Sequence, residues 1–261
     1  MCQSFIPPLQ STRRSPASGN CMIDIGNEST KHLAQHLVLL LDVIHSRRWS
    51  AFENIALSNP EVFRMICASI PRTGAFKGGT TLLHECLQCD VPLETVVKMF
   101  KMLPDRTDAL RARDSLGRTP LHIAVASAAD PLVVKLIGSA NPEACTILDE
   151  DGRTPLHLAC DSTNTIQVEN FKCQQHMPQQ NEARSYNTVR ALLSESPEAS
   201  LVEDEDGMSA LEYAIMSDAS IELVTLLQIA SMESLRGGWQ HHSTKKRRLP
   251  YDVSHTTSLL R

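Results

Sequence analysis

Aromatic side chains are scarce in this sequence. Phe, Trp and Tyr make up 4% of its 261 residues, so the core they leave room for is aliphatic, built from Leu, Ile, Val, Ala and Met. Long apolar runs are missing too. The longest aliphatic stretch, residues 37–41, stops at Asp42, far short of the roughly 20 residues a bilayer helix needs, so membrane insertion is not expected. The first fourteen residues include Pro7 and Pro8 and no apolar export segment, which argues against secretion. A basic folded face is lacking as well. The net charge is -5; residues 1–30 balance and residues 232–261 carry +4, which leaves -9 on the middle of the chain. An acidic body with a short basic tail is the wrong arrangement for a nucleic-acid-binding domain. With 42% hydrophobic and 21% charged residues, the chain has the composition of a folded protein. Its eight cysteines are thinly spread among Ala and Leu, where a reduced thiol packs as a small apolar group.

What is present is a repeat. Four segments align: GTTLLHEC from Gly79, GRTPLHIA from Gly117, GRTPLHLA from Gly152 and GMSALEYA from Gly207, at spacings of 38, 35 and 55 residues. Three of the glycines follow an aspartate by three residues: Asp114, Asp149 and Asp204. A second landmark recurs upstream of the later glycines, as Pro104-Asp105, Pro142-Glu143-Ala144 and Pro197-Glu198-Ala199. Each piece has a physical reason. Asp-x-x-Gly is turn chemistry, with a carboxylate to bond backbone amides and a glycine to accept positive φ. In Thr119-Pro120 and Thr154-Pro155 the threonine caps a helix whose first position is proline, where no N–H is needed. Leu121, Ala124 and Val125 then fall on one side of a short helix, as do Leu156, Ala159 and Cys160. Asp130-Pro131 starts a second helix, with counterparts at residues 94–102, 187–193 and 220–229. Two short helices and a turn cannot bury their apolar sides alone; they become stable by stacking on copies of themselves.

These residues resemble the ankyrin repeat, whose pattern of turn-Gly-x-Thr-Pro-Leu-His-x-Ala stands at 114–124 and 149–159. The resemblance covers residues 76–230 and implies an all-α solenoid of stacked helix-turn-helix units joined by β-turn loops. It also implies a structural task for His84, His122 and His157, whose imidazoles bond backbone in adjoining turns. The outer copies depart from the pattern. The first has Phe76 for the aspartate, Thr81-Leu82 for Thr-Pro and Glu85 at an apolar position; the last has Ser209-Ala210 and Glu212 for Thr-Pro and His. Such departures suit end units with one side in water.

The expected organisation is a disordered tail over 1–28, a helical leading or capping region over 29–75, ankyrin repeats over 76–231 and a basic disordered tail over 232–261. Within the leading region, residues 31–44 read as a helix, and Trp49, Phe52, Ile55 and Ala56 form one apolar stripe of a divergent unit. The 55-residue spacing places an insertion of about 20 residues over 162–185, relative to the 33-residue ankyrin norm. The alignment puts it between the two helices of the third unit, as a protruding loop.

No enzyme active site is visible. Gly74 to Thr81 partly echoes a phosphate-binding loop, but Thr80 stands where lysine is required and Lys77 comes too early. His32 and His36 have zinc-chelating i, i+4 spacing without the neighbouring glutamate of a metalloprotease. His157, Cys160, Cys173 and His176 give an H-x-x-C…C-x-x-H pattern, yet the first two are repeat positions. Cys173 and His176 in the insertion therefore carry the alternative reading, a metal-binding or redox protein. Cys86 and Cys89 lack the strand context of a redox motif and read as packing residues.

What the resemblance implies instead is non-covalent binding of a protein partner on the concave surface of the stack, as a scaffold or adaptor, with no cofactor, metal, small-molecule substrate or nucleic acid. The expected contact residues are Ser115, Leu116, Arg118, Ala126 and Ser127, then Glu150, Asp151, Arg153 and Asp161, then Glu205, Asp206 and Met208. The tips at 149–151 and 203–206 concentrate negative charge, which calls for a basic or mixed-charge partner. Lys245, Lys246, Arg247 and Arg248 form a basic tetrad of the kind read as a nuclear-import signal, so a cytoplasmic or nuclear location is expected.

Overall fold

The computed structural model describes residues 28–73, 80–103, 106–161 and 178–237. Among these residues it contains twelve α-helices, two 3-10 turns and no strand beyond a single bridge between Glu203 and Ser209.

Three helices lead: α1 (Glu28–His45), α2 (Trp49–Ser58) and α3 (Pro60–Thr73). Their shared interior holds Leu40, Ile44, Phe52, Phe63 and Ile66, with Phe52 and Phe63 edge to face at 6.0 Å. Phe52 and Ala56 are buried and Trp49 and Ile55 half-buried against the same core, so the stripe read from the sequence faces inward.

Four units follow. The first has α4 (Leu82–Gln88), α5 (Leu93–Met102) and α6 (Arg106–Arg111); the second has α7 (Pro120–Ala126) and α8 (Pro131–Ala140). The third has α9 (Pro155–Cys160) and α10 (Pro178–Glu195), and the fourth α11 (Ala210–Met216) and α12 (Ile221–Gly237). First helices pack in the row α4, α7, α9, α11, and second helices in the row α5, α8, α10, α12. Each unit thus buries its apolar side against the next, which is why helices of six or seven residues persist although such lengths are marginal in isolation. The core that results is aliphatic, with Leu121, Ile123, Val133, Ile137, Leu156, Val189 and Leu227 all buried.

The second sequence landmark is a helical turn in its two described copies, Pro104 and Asp105 lying outside the described residues. Residues Pro142–Thr146 and Pro197–Leu201 each form a 3-10 turn that inserts Ala144 or Ala199 into the core at 0% exposure.

Within a unit, the first helix ends on a left-handed residue: Asp90 (φ 59°), Ala128 (φ 51°) or Asp218 (φ 53°). Around Ala128 the amide of Ala129 donates to the carbonyl of Ala124, and that of Ala128 to Val125, both at 2.9 Å, the pairing of a Schellman termination. The third unit departs here. Asp161 is extended (φ -86°, ψ 104°) and leads into residues 162–177, which lie outside the described residues. The insertion is shorter as a loop than 162–185, because α10 already starts at Pro178 and runs eight residues of that span as helix. Its Arg184 reaches Asp90 at 3.8 Å, and Tyr186 just after it packs on the core. The basic tail likewise starts later than residue 232, since α12 continues to Gly237. Residues 1–27 and 238–261, with the tetrad at 245–248, lie outside the described residues, as do Phe76, Lys77, Cys173 and His176.

Candidate interaction surface

The turn between units is the element that positions the surface, and its aspartate organises it. Asp114 Oδ1 accepts the amides of Leu116 and Arg118, each at 2.9 Å, while its Oδ2 accepts Arg118 Nε at 2.9 Å. Burial raises the Asp114 carboxyl, but the Arg118 guanidinium and the backbone amides more than offset this, and its pKa falls below the ordinary value. Asp149 repeats the arrangement with Asp151 and Arg153, and Asp204 with Asp206 and Met208. Gly117, Gly152 and Gly207 all take positive φ (69°, 71°, 75°), as turns of this shape require.

The turns stack tip on tip. The amide of Glu150 donates to the carbonyl of Leu116 at 2.9 Å, and Glu150 lies against Gly117. Glu205 covers Gly152 in the same way, whereas a β-carbon on Gly207 would meet nothing within 4 Å among the described residues.

The histidines bind each turn to the next. Nδ1 of His84, His122 and His157 accepts the backbone amide of Thr81, Thr119 and Thr154 at 3.1 to 3.2 Å. Nε2 meets the carbonyl of Arg118, Arg153 or Met208 in the following turn at 3.1, 3.1 and 3.0 Å. These partners fix the neutral tautomer with the proton on Nε2. Burial lowers all three imidazoles, His122 to about 4.

In the fourth unit Glu212 stands in place of the histidine. Its Oε2 accepts the Ser209 amide at 2.6 Å and the Ser209 hydroxyl at 2.9 Å. The carboxylate does the helix-capping half of the imidazole's work, and no following turn among the described residues needs the other half. Glu85, the polar intruder of the first unit, is explained by the leading helices: its carboxylate meets His45 at 3.3 Å and the Thr80 hydroxyl at 3.1 Å. Further ties join the two parts, with Glu53 accepting Lys98 at 2.5 Å and Thr95 at 2.8 Å.

Against this frame the expected contact residues separate. Ser115, Leu116, Glu150, Asp151, Glu205 and Asp206 are exposed on the tips. Ser127, Asp161 and Met208 are half-buried. Ala126, expected on an open helix face, is buried at 8% exposure as part of the hydrophobic core. Arg118 and Arg153 are half-buried and engaged: Arg118 with Asp114 at 2.8 Å, and Arg153 with Asp149 at 3.8 Å and with Asp151. They hold the turns as well as edging the surface.

The sequence reading missed the extent of the acidic region. Residues 191–235 contain ten Asp and Glu and no Lys or Arg, a count available from the sequence in a wider window. It also missed Tyr213, whose hydroxyl donates to Asp204 Oδ2 at 2.7 Å. Met208 stands where the second and third units have arginine, and the tyrosine supplies the donor from the adjoining helix turn.

The alternative reading rests on Cys173 and His176, which lie outside the described residues. Among the described residues, no group of three His, Cys, Asp or Glu side chains is placed to hold a metal ion. Both ring nitrogens of His157 are committed, and Cys160 is buried at 3% exposure. Burial pushes the thiols of Cys67, Cys145 and Cys160 up to about 12 and that of Cys86 well above its ordinary value, which disfavours the nucleophilic thiolate. His36 Nδ1 lies 3.2 Å from the carbonyl of His32 one turn before it. No described helix is long and apolar enough to cross a membrane.

Residues 108–159 match a family model described as ankyrin repeats (many copies). That span runs from α6 to α9 and takes in two of the stacked turns. No curated protein matches the chain.

Proposed function

We propose that this ankyrin-repeat protein works by adhesion, binding a protein partner of basic or mixed charge across its turn tips and first helices without catalysing a reaction. Ankyrin repeats are generally protein-interaction modules, and what varies among them is the exposed side chains on a common frame. The observation that carries the reading is the stacked acidic edge. Glu150 and Asp151 on one tip, and Glu205 and Asp206 on the next, are exposed and fixed in register by the Glu150 to Leu116 hydrogen bond and by Glu205 packed on Gly152. Parallel rows of carboxylates steer a basic surface during encounter, and the exposed Leu116 adds apolar area beside them. A scaffold or adaptor role, in the cytoplasm or nucleus, is the cellular form of this reading, with the tetrad at 245–248 as the import element.

The test is capture by the full chain from a cell lysate, run beside the variant Glu150→Lys/Asp151→Lys/Asp206→Lys. These side chains are exposed, and the only ion pair lost among the described residues, Asp151 to Arg153, is at an exposed carboxylate where such pairs contribute little, so melting should shift only slightly. A partner retained at low salt, and lost both to the variant and at about 500 mM salt, supports the proposal. A partner held equally by both proteins at both salts sinks the acidic edge as the binding site.

A further inference from the structure

The fourth unit exposes apolar side chains at positions that the second unit buries. On α11, Ile215 and Met216 are 57% and 74% exposed, whereas their counterparts on α7, Val125 and Ala126, are 7% and 8% exposed. Ile221, opening α12, is 77% exposed. Repeat stacks end on a polar face when that face is meant for water. Here the apolar residues are flanked by acids: Glu203, Glu205, Asp206, Glu212, Asp218 and Glu222 are all exposed. None of them takes part in an ion pair among the described residues.

We propose that this end face is occupied by the chain's own residues 245–251, Lys-Lys-Arg-Arg-Leu-Pro-Tyr, with the basic tetrad on the acids of the fourth unit and Leu249 and Tyr251 on Ile215, Met216 and Ile221. Three considerations select this occupant. The first is charge: residues 191–235 hold ten acids and no base, while Arg236 and residues beyond it hold six bases and one acid. The second is reach. Residues 217–220 turn α11 back into α12, so α12 ends on the side where the acidic turn begins. Seven residues separate Gly237 from Lys245, enough for about 25 Å, roughly the length of the 17-residue α12 itself. A tether this short also places the segment at a roughly millimolar effective concentration. The third is the exclusion of a second copy: two fourth units face to face would oppose these six exposed carboxylates with six, and like charges destabilise such an interface. The proposal does not need an external partner. Where one exists for the same acids, it competes with the segment.

Trypsin cuts after Lys and Arg, so its rate within residues 245–248 of the full chain reads whether they are held. The reference is a free peptide of the same residues in the same tube. At about 20 mM salt the chain should be cut at least about fivefold more slowly than the peptide, and at about 500 mM the two rates should converge. The variant Glu203→Lys/Asp206→Lys, in exposed positions that leave melting unchanged, should lose the protection at low salt. As a second readout, replacing Lys245, Lys246, Arg247 and Arg248 by alanine should move the amide resonances of Ile215, Met216 and Ile221 and leave those of Ala124 and Val133 in place. Equal cutting of chain and peptide at both salts, with unmoved resonances, overturns the proposal. Protection that grows with protein concentration assigns the contact to a second molecule and overturns it as well. Because no partner is present, these outcomes are independent of the capture experiment.

Discussion

His157 and Met208 are 51 residues apart in the chain, yet the imidazole Nε2 of one lies 3.0 Å from the backbone carbonyl of the other. The same bond joins His84 to Arg118 and His122 to Arg153 over 34 and 31 residues. The third and fourth units therefore meet through the same bond as the others, despite the longer stretch of chain between them.

This bond makes stability depend on pH in a defined direction. Burial holds His122 at about 4, below its ordinary 6.5, and burial lowers His84 and His157 as well. The charged and titratable neighbours of His122 are Asp149, Arg113 and Arg118, and those of His84 are Asp114, Arg118 and Glu85. A base with a lowered folded pKa is neutral in the fold and takes up a proton on unfolding. Its stabilisation is present above pH 6.5 and is lost as pH falls towards 4, on the order of 3 kcal/mol for His122 alone. Urea midpoints should fall between pH 7 and pH 4.5, and His122→Gln should flatten that slope. A flat midpoint across this range contradicts the assignment.

Gly152 and Gly207 separate strain from crowding. Both have positive φ, but a β-carbon on Gly152 would sit 2.9 Å from the Glu205 amide nitrogen and against its side chain, while one on Gly207 meets nothing within 4 Å. Gly207→Ala should cost about 1–2 kcal/mol, the left-handed penalty alone. Gly152→Ala should cost about 3 kcal/mol or more, since the tip stack must also shift. Chemical denaturation of the two variants checks the difference, and equal costs would show that the tips do not bear on one another.

Tyr213 replaces an arginine in function but not in position. Its hydroxyl on Asp204 does what Arg118 does for Asp114, and Asp204 in turn raises the phenol to about 12. Tyr213→Phe should cost about 1.5–3 kcal/mol, the range for a hydrogen bond to a charged group. Adding Met208→Arg should recover most of it, because that side chain then stands where Arg118 and Arg153 stand. Failure of the rescue would mean the tyrosine acts by packing on His157, whose ring it meets edge to face at 5.5 Å.

The insertion divides at Pro178. Replacing residues 162–177 by a short Gly-Ser link should leave melting nearly unchanged, since the His157 to Met208 bond and α10 remain. Extending the replacement to 185 removes the first two turns of α10 and the Arg184 to Asp90 pair, and should lower the melting temperature by several degrees. If the two replacements melt alike, those turns contribute nothing to the stack.

The sequence by itself determined the unit and its register. Asp-x-x-Gly, Thr-Pro and the apolar spacing are local rules, each satisfied within about ten residues, so the helices, the turns and the stacking could be read without coordinates. The exchange of Thr-Pro and His for Ser209, Ala210 and Glu212 was legible as a change of role at an end unit, though not as the capping carboxylate that Glu212 supplies. Only the tertiary structure decided what covers each side chain. Ala126 and Met216 occupy equivalent positions, one buried in the core and the other open. Arg118 and Arg153, expected as partner contacts, are tied to their aspartates, and Tyr213, which no sequence pattern marked, serves a turn. The difference is physical. Backbone conformation answers to near neighbours in the chain, whereas burial and charge pairing answer to neighbours in space, which a repeat brings from 30 to 50 residues away.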